Sequence, residues 1–200
     1  RQLTNGPGKW CVAMAMDHLV ALGHRTIAFI SGPLDLFSAR TRFHAFKAGL
    51  ERHGLSRDAN LIQEANHRAD GGHAAMERIL ESGAKPTAVM ASNDLTAIGA
   101  LGAIHDRGLR VPDDISIVGY DDIVLSAYTQ PSLTTLRLPR SEIATAAFRA
   151  LYNARQAGVN QPHEGANYLI LPTLVLRHST GPAAAGPRMA SPRKAALQKM

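Results

Sequence analysis

The chain has 200 residues, of which 45% are hydrophobic and 19% charged, a balance that is ordinary for a globular protein. It contains no run of about 18 apolar residues, which excludes an apolar membrane-spanning helix, and its single cysteine, Cys11, excludes an internal disulfide. Five of its 22 lysines and arginines lie in residues 177–200, which hold no acidic residue, so the formal charge of +6 belongs mostly to this end and the rest is nearly neutral.

The first half of the chain alternates amphipathic segments with short apolar runs. Residues 1–11 lack a periodic pattern and are expected to be an irregular leader. The spacing of apolar residues predicts helices over residues 12–22, 38–53 and 70–81 and strands over residues 25–30, 61–62 and 88–91. A glycine follows each of these helices, as is common where a helix ends in the left-handed conformation.

The second half begins with the same alternation. We predict helices over residues 95–107 and 141–155, strands over residues 115–120 and 168–177, and an extended segment over residues 131–138. Short apolar strands that alternate with helices are typical of βαβ units, so we predict an α/β fold with a parallel sheet flanked by helices. Residues 181–200, rich in Ala, Pro, Gly and basic side chains, are expected to be a disordered basic tail.

Sequence patterns of catalysis are missing from the chain. It contains no G-x-S-x-G, H-E-x-x-H, C-x-x-C or P-loop motif, and its nine histidines do not have the spacing of metal ligands. We therefore predict that it is not an enzyme and that it holds no cofactor and no metal.

Polar side chains instead follow the predicted strands. The candidates are Ser38, Arg40, Arg42, Asn93, Asp94, Asp121 and Asp122. In a parallel sheet the carboxyl ends of the strands meet at one edge, where ligands bind. A guanidinium, an amide and a carboxylate there suit a polyhydroxylated or carboxylated small molecule. The alternative is that Asp94 and Asp121 only cap helices and close turns; it is the preferred interpretation for Asp94, whereas the spacing favours neither interpretation for Asp121.

Six motifs occur in an order and spacing that closely resemble the effector-binding core of LacI-type transcription regulators. They are HLVALGHRTIAFISGP (18–33), SARTRFHAF (38–46), ASNDLTAIGAL (91–101), VPDDISIVGYDD (111–122), QPSLTTLRLP (130–139) and LPTLVLRHST (171–180). The resemblance implies a periplasmic-binding-protein-like type I fold over residues 12–180, with a nearly complete C-terminal lobe and an N-terminal lobe and helix-turn-helix largely absent from this N-terminally truncated chain. Helix 141–157 then lacks the lobe on which it normally packs, and its apolar face is expected to be exposed.

The resemblance also implies roles for individual residues. Arg42 matches the arginine that clamps the effector, Asn93 the amide at the strand end, Asp121 the carboxylate that faces sugar hydroxyls, and Ser38 and Phe37 the wall of the effector pocket. Leu138 stands where many members carry a polar effector contact. We expect Arg42 and Asp121 to face the cleft as an ionic or hydrogen-bonded pair.

The function that follows is ligand sensing in a cytoplasmic regulator. A small, sugar-like effector controls operator binding, which depends on a helix-turn-helix that this chain does not contain, so we expect the chain alone to bind no operator. A homodimer is expected through residues 94–107 and 125–128, although burial of the latter loop against its own domain is an equally simple account, and no membrane partner is expected. The alternatives are an exported periplasmic sugar-binding protein of related fold and an enzyme on an α/β sheet.

Overall fold

A computed structural model describes residues 7–156 and 170–184. The strands are β1 (Ile27–Ser31), β2 (Ile62–Glu64), β3 (Ala88–Ala91), β4 (Ser116–Tyr120), β5 (Thr134–Arg137) and β6 (Thr173–Val175). The helices are α1 (Pro7–Ala21), α2 (Phe37–Arg52), α3 (Ala69–Glu81), α4 (Asp94–Asp106) and α5 (Arg140–Gln156). Two short 3₁₀ helices, Ala59–Leu61 and Val124–Ala127, precede β2 and β5 respectively.

The strands form one sheet in the order β2-β1-β3-β4-β5-β6, in which all pairs are parallel except β5 with β6. Every residue of β1, β3 and β4 is buried, because helices cover both faces of the sheet. One face packs against α1 and α2 around Phe29 and Phe46, and the other against α3 and α4 around Ile30 and Ile117. The predicted α/β fold with a parallel sheet flanked by helices is confirmed.

The structure differs from the prediction at both ends of the chain. The leader expected over residues 1–11 is helical from Pro7 onward, because the fixed φ of proline and its missing N–H suit the first position of a helix. Residues 181–184, expected to begin a disordered tail, lie against α1: the Ala183 amide donates to the Leu22 carbonyl at 2.9 Å. Residues 1–6 and the tail from residue 185 onward lie outside the described residues.

The last strand is shorter than predicted and runs in the opposite direction to its neighbour. Only Thr173–Val175 of the apolar run at 168–177 is a strand, and residues 168–169 lie outside the described residues. It pairs antiparallel with β5 at the edge of the sheet. Pro172 precedes it, as expected for a residue that cannot donate to a neighbouring strand.

Helix α5 presents apolar side chains to solvent. Phe148, Leu151 and Tyr152 are each more than half exposed, so the expected exposure of this apolar face is confirmed for the described residues. Within the described ranges, no helix combines the length and the apolar character that a bilayer crossing requires.

Candidate functional site

The carboxyl ends of β1, β3 and β4 form the edge that carries the candidate site. These three strands are neighbours in the sheet and parallel, so the residues that follow them, Gly32, Ser92 and Asp121, lie along one edge. Helix α2 packs over the same region and brings Arg42 to it. The predicted gathering of polar groups at this edge is therefore present for Arg42 and Asp121.

Arg42 is half-buried and held by two contacts. Its guanidinium carbon lies 3.8 Å from the centre of the Tyr120 ring, and its Nη1 donates to the Ser92 carbonyl at 2.8 Å. Stacking on an aromatic face and a carbonyl acceptor at the edge are both favourable for the planar, delocalised charge of arginine. The guanidinium is thus fixed at the ends of β3 and β4.

Asp121 is the first residue after β4 and is half-buried. Its φ of +108° lies in a region that non-glycine residues rarely adopt. The residues that do adopt such conformations are often found at functional sites. Burial raises the pKa of its carboxyl to about 6, against the opposing charge of Arg42. Among the described residues, no donor bonds to this carboxylate. A half-buried acidic group without an internal partner is suited to bind the hydroxyl or amine of a ligand.

The expected direct pair between Arg42 and Asp121 is not formed. The two side chains are close enough for the Arg42 charge to oppose the rise of the Asp121 pKa, yet no ion pair joins them in the part of the chain that the structure describes. Arg42 is engaged by Tyr120 and Ser92 instead. Each of the two charged groups is therefore available to a ligand separately.

Asn93 has a structural role in this structure. Its Oδ1 accepts from the Thr96 amide at 2.9 Å and so caps α4. Its Nδ2 donates to the His67 carbonyl at 2.9 Å. Both polar ends of the amide are thereby used within the protein, and Asn93 positions α4 and the loop before α3 at the site.

Ser38 and Phe37 lie at the first turn of α2 and are exposed to solvent, with 78% of Phe37 accessible. They lie about one helical turn before Arg42 on the same helix. Their predicted position in the wall of the effector pocket stays a prediction.

His67 and Ser92 belong to the site and were not predicted. His67 Nε2 lies 2.9 Å from the Ser92 hydroxyl oxygen, and its φ of +63° is left-handed. A Cβ at Gly32 would overlap the imidazole, so the ring in this position lies directly against the glycine. Burial lowers the His67 pKa, and the Arg42 charge adds to the effect. His67 follows β2, so a search for polar residues after each strand could have found it. The predicted strand 61–62 was too short for the loop after β2 to be considered.

Asp94, by contrast, is fully buried and structural, as the preferred interpretation held. Its carboxylate accepts from the Ile123 amide at 2.8 Å, the Ser126 hydroxyl at 2.6 Å and the Thr135 hydroxyl at 2.5 Å. Burial raises its pKa against these three hydrogen bonds. It ties the start of α4 to the loop after β4 and to β5, and its complete burial keeps it from contact with a ligand.

A shallow cleft of about 450 Å³ adjoins Asp121 between β5 and α5. Leu138, Arg140 and Ile143 line it, and the Arg140 guanidinium donates to the carbonyls of Asp121 and Asp122 at 2.6 and 2.9 Å. Leu138 contributes an apolar wall here. In the described ranges, no group of three or more His, Cys, Asp or Glu side chains is placed to hold a metal ion.

Comparison with known proteins identifies the family of the chain. The sequence model of the periplasmic binding protein-like domain family matches residues 16–180. The ribose operon repressor of Haemophilus influenzae is 35% identical over 167 residues, which cover 83% of this chain and 49% of the repressor. The chain therefore spans about half the length of such relatives, and these are transcriptional regulators.

Solved structures agree. A sugar-binding transcriptional regulator of the LacI family from Escherichia coli, complexed with phosphate, superposes with a TM-score of 0.81 at 31% identity, covering 88% of this chain and 62% of that one. The lac repressor dimer bound to operator and the anti-inducer ONPF superposes with a TM-score of 0.79 at 34% identity. The match covers 87% of this chain and 59% of the repressor chain. The chain belongs to the periplasmic binding protein-like domain family, in the form found in LacI-family effector-binding domains.

Proposed function

We propose that this chain senses a small polyhydroxylated effector, such as a sugar, for a LacI-type regulator of transcription. The observation that carries the proposal is the pair of separate, half-buried charges at one sheet edge, the Arg42 guanidinium and the Asp121 carboxylate. Neighbouring hydroxyls of a sugar can donate to the carboxylate and accept from the guanidinium at the same time.

The names of two relatives support this class of ligand. One is named for the ribose operon, and another is described as a sugar-binding regulator. The proposed site lies on a rigid sheet edge, with Asn93 and Asp94 holding the surrounding loops. A rigid frame of this kind lets the site discriminate ligands by their hydroxyl pattern, because a buried polar group left unpaired costs about 1–3 kcal/mol.

We further infer a homodimer that acts on operator DNA in the cytoplasm. The lac repressor relative is described as a dimer bound to operator. In this chain the start of α4 and the 3₁₀ helix Val124–Ala127 are joined through Asp94 and present exposed apolar side chains. These exposed side chains support the predicted association through residues 94–107 and 125–128. The alternative, that the apolar side chains of loop 125–128 are buried against their own domain, is wrong, because Leu125 and Tyr128 are exposed.

The test is effector binding by calorimetry in the full-length regulator at pH 7.5, where Asp121 is ionised. Ribose and a panel of neutral mono- and disaccharides serve as ligands. We expect Asp121→Ala and Arg42→Ala each to weaken binding at least tenfold, about 1.4 kcal/mol, while folding and operator binding without effector persist.

The matched controls are Asp113→Ala and Arg110→Ala, an exposed ion pair of 3.0 Å before β4, at the opposite edge of the sheet. Neither should change the affinity. If the site variants unfold the domain while the remaining folded protein binds with unchanged affinity, Asp121 and Arg42 are structural residues and the proposed site is refuted.

A further inference from the structure

We propose that Tyr120 is a positioning residue, whose ring holds the Arg42 guanidinium in the place where it meets the effector. The inference rests on the proposed function for the role of Arg42 as an effector contact. The stacking itself, and its test, need no effector.

The Tyr120 ring is a fixed platform. It is the last residue of β4, only 3% exposed, and packs in the core between the sheet and helices α1 and α2. Its hydroxyl lies close to the thiol of Cys11, which is completely buried in α1. Backbone position, burial and the Cys11 contact therefore all fix the orientation of the ring.

Arg42 depends on this platform because its own side chain is long and flexible. Four rotatable bonds separate its backbone on α2 from the guanidinium, and any ordering must come from the contacts at the tip. The structure shows two such contacts: the ring face at 3.8 Å and the Ser92 carbonyl at 2.8 Å. A single hydrogen bond at one edge leaves the plane of the group free to rotate, whereas the ring face defines that plane.

The position of Arg42 can be detected at Asp121. The Arg42 charge lowers the pKa of this carboxyl against the larger effect of burial. A guanidinium that leaves the ring moves its charge away, so the pKa of Asp121 rises. The carboxyl thus reports on the stack without any ligand.

The test is nuclear magnetic resonance on the 200-residue chain, with the pKa of Asp121 followed through its carboxyl carbon and the stacking through the Arg42 side-chain N–H signal. In the wild-type chain we expect that signal to be shifted upfield by the ring, relative to exposed Arg52. Arg42→Met should raise the Asp121 pKa by roughly one pH unit or more, and Tyr120→Leu should raise it towards the same value.

Two comparisons separate positioning from general loss of packing. Tyr120→Phe keeps the ring face, so it should restore the wild-type Asp121 pKa and the upfield Arg42 signal. In the Arg42→Met background, Tyr120→Leu should cause no further change. The proposal is overturned if the wild-type Arg42 signal lacks the ring shift, a measurement that holds even where Tyr120→Leu does not fold. It is also overturned if Tyr120→Leu raises the pKa equally without Arg42. Failure of every sugar to bind would contradict the proposed function and leave these results intact.

Discussion

Two aspartates that follow sheet strands show how the environment decides the role of a residue. Asp94 is enclosed by three donors, two of them hydroxyls and one a backbone amide. Asp121 comes shortly before Ile123, one of these donors, at a left-handed backbone position and without an internal donor to its carboxylate among the described residues. Both pKa values are raised by burial. Only Asp121 retains hydrogen-bonding capacity for a ligand.

The structural role of Asp94 predicts a large loss of stability on its removal. Asp94→Ala leaves the Ile123 amide and the Ser126 and Thr135 hydroxyls without their acceptor. Since an unsatisfied buried group costs about 1–3 kcal/mol, and the hydroxyls can turn elsewhere, we expect the free energy of unfolding to fall by about 3 kcal/mol. Urea denaturation measures this change.

The matched control is Asp106→Ala, at the exposed end of the same helix, where the carboxylate pairs with the exposed side chains of His73 and His105. It should cost less than about 1 kcal/mol. Equal losses for the two variants would contradict the structural role assigned to Asp94.

At the scale of elements, the segment that follows β6 ties the amino ends of the strands together. The Ser179 hydroxyl donates to the Ile117 carbonyl at 2.7 Å and accepts from the Thr134 amide at 2.8 Å. His24, 1% exposed, has its Nε2 3.0 Å from the Gly181 carbonyl and its Nδ1 3.0 Å from the Thr87 hydroxyl. Because a carbonyl oxygen only accepts, Nε2 carries a proton and donates to Gly181, and in a neutral imidazole Nδ1 is then the acceptor nitrogen.

The buried His24 predicts a pH dependence of the stability of the fold. Burial lowers the His24 pKa from 6.5, so the folded state keeps the ring neutral where the unfolded chain takes up a proton. The stabilisation is present above about pH 6.5 and is lost as the pH falls towards the folded-state pKa. Between pH 7.5 and 5.5 we expect His24 to lower the free energy of unfolding by up to about 1.4 kcal/mol.

Urea denaturation of wild type and His24→Gln at the two pH values isolates this contribution. Asp121 acts in the opposite sense, because its raised pKa lets the folded state take up a proton first, but it is common to both proteins and cancels in the difference. The same pH dependence in both would mean that His24 contributes nothing to it.

At the scale of the whole molecule, two regions of the described residues present several exposed apolar side chains each. One is α5, and the other lies at the 3₁₀ helix Val124–Ala127, where Val124 and the adjacent Tyr128 are 78% and 79% exposed. Leu95, in the first turn of α4, is also exposed. Contiguous exposed apolar surface of this kind marks an interaction site.

The second surface predicts the association state. We expect the chain to be a dimer by sedimentation at roughly 50 µM, a concentration above the Kd of a stable dimer. Tyr128→Glu should convert it to a monomer, because the interface would then bury an unpaired charge. Phe148→Glu, at another aromatic residue that is mostly exposed, on α5, should leave the dimer intact. A folded wild-type monomer at this concentration would contradict the assignment.

The sequence by itself determined the alternation of strands and helices, the parallel sheet and the placement of Arg42 and Asp121 at its edge. These features depend on local periodicity and on the geometry shared by all parallel sheets, so neighbouring residues suffice to predict them. The six motifs in order were enough to identify the family.

Only the tertiary structure decided how each polar group is used. Asn93 and Asp94 follow the same strand, but the acceptor of the Asn93 amide and two of the donors to Asp94 are His67, Ser126 and Thr135, which are far away in the chain. The platform of Tyr120 under Arg42 likewise joins β4 to α2. Such contacts arise from packing between distant segments, and no local pattern of residues records them.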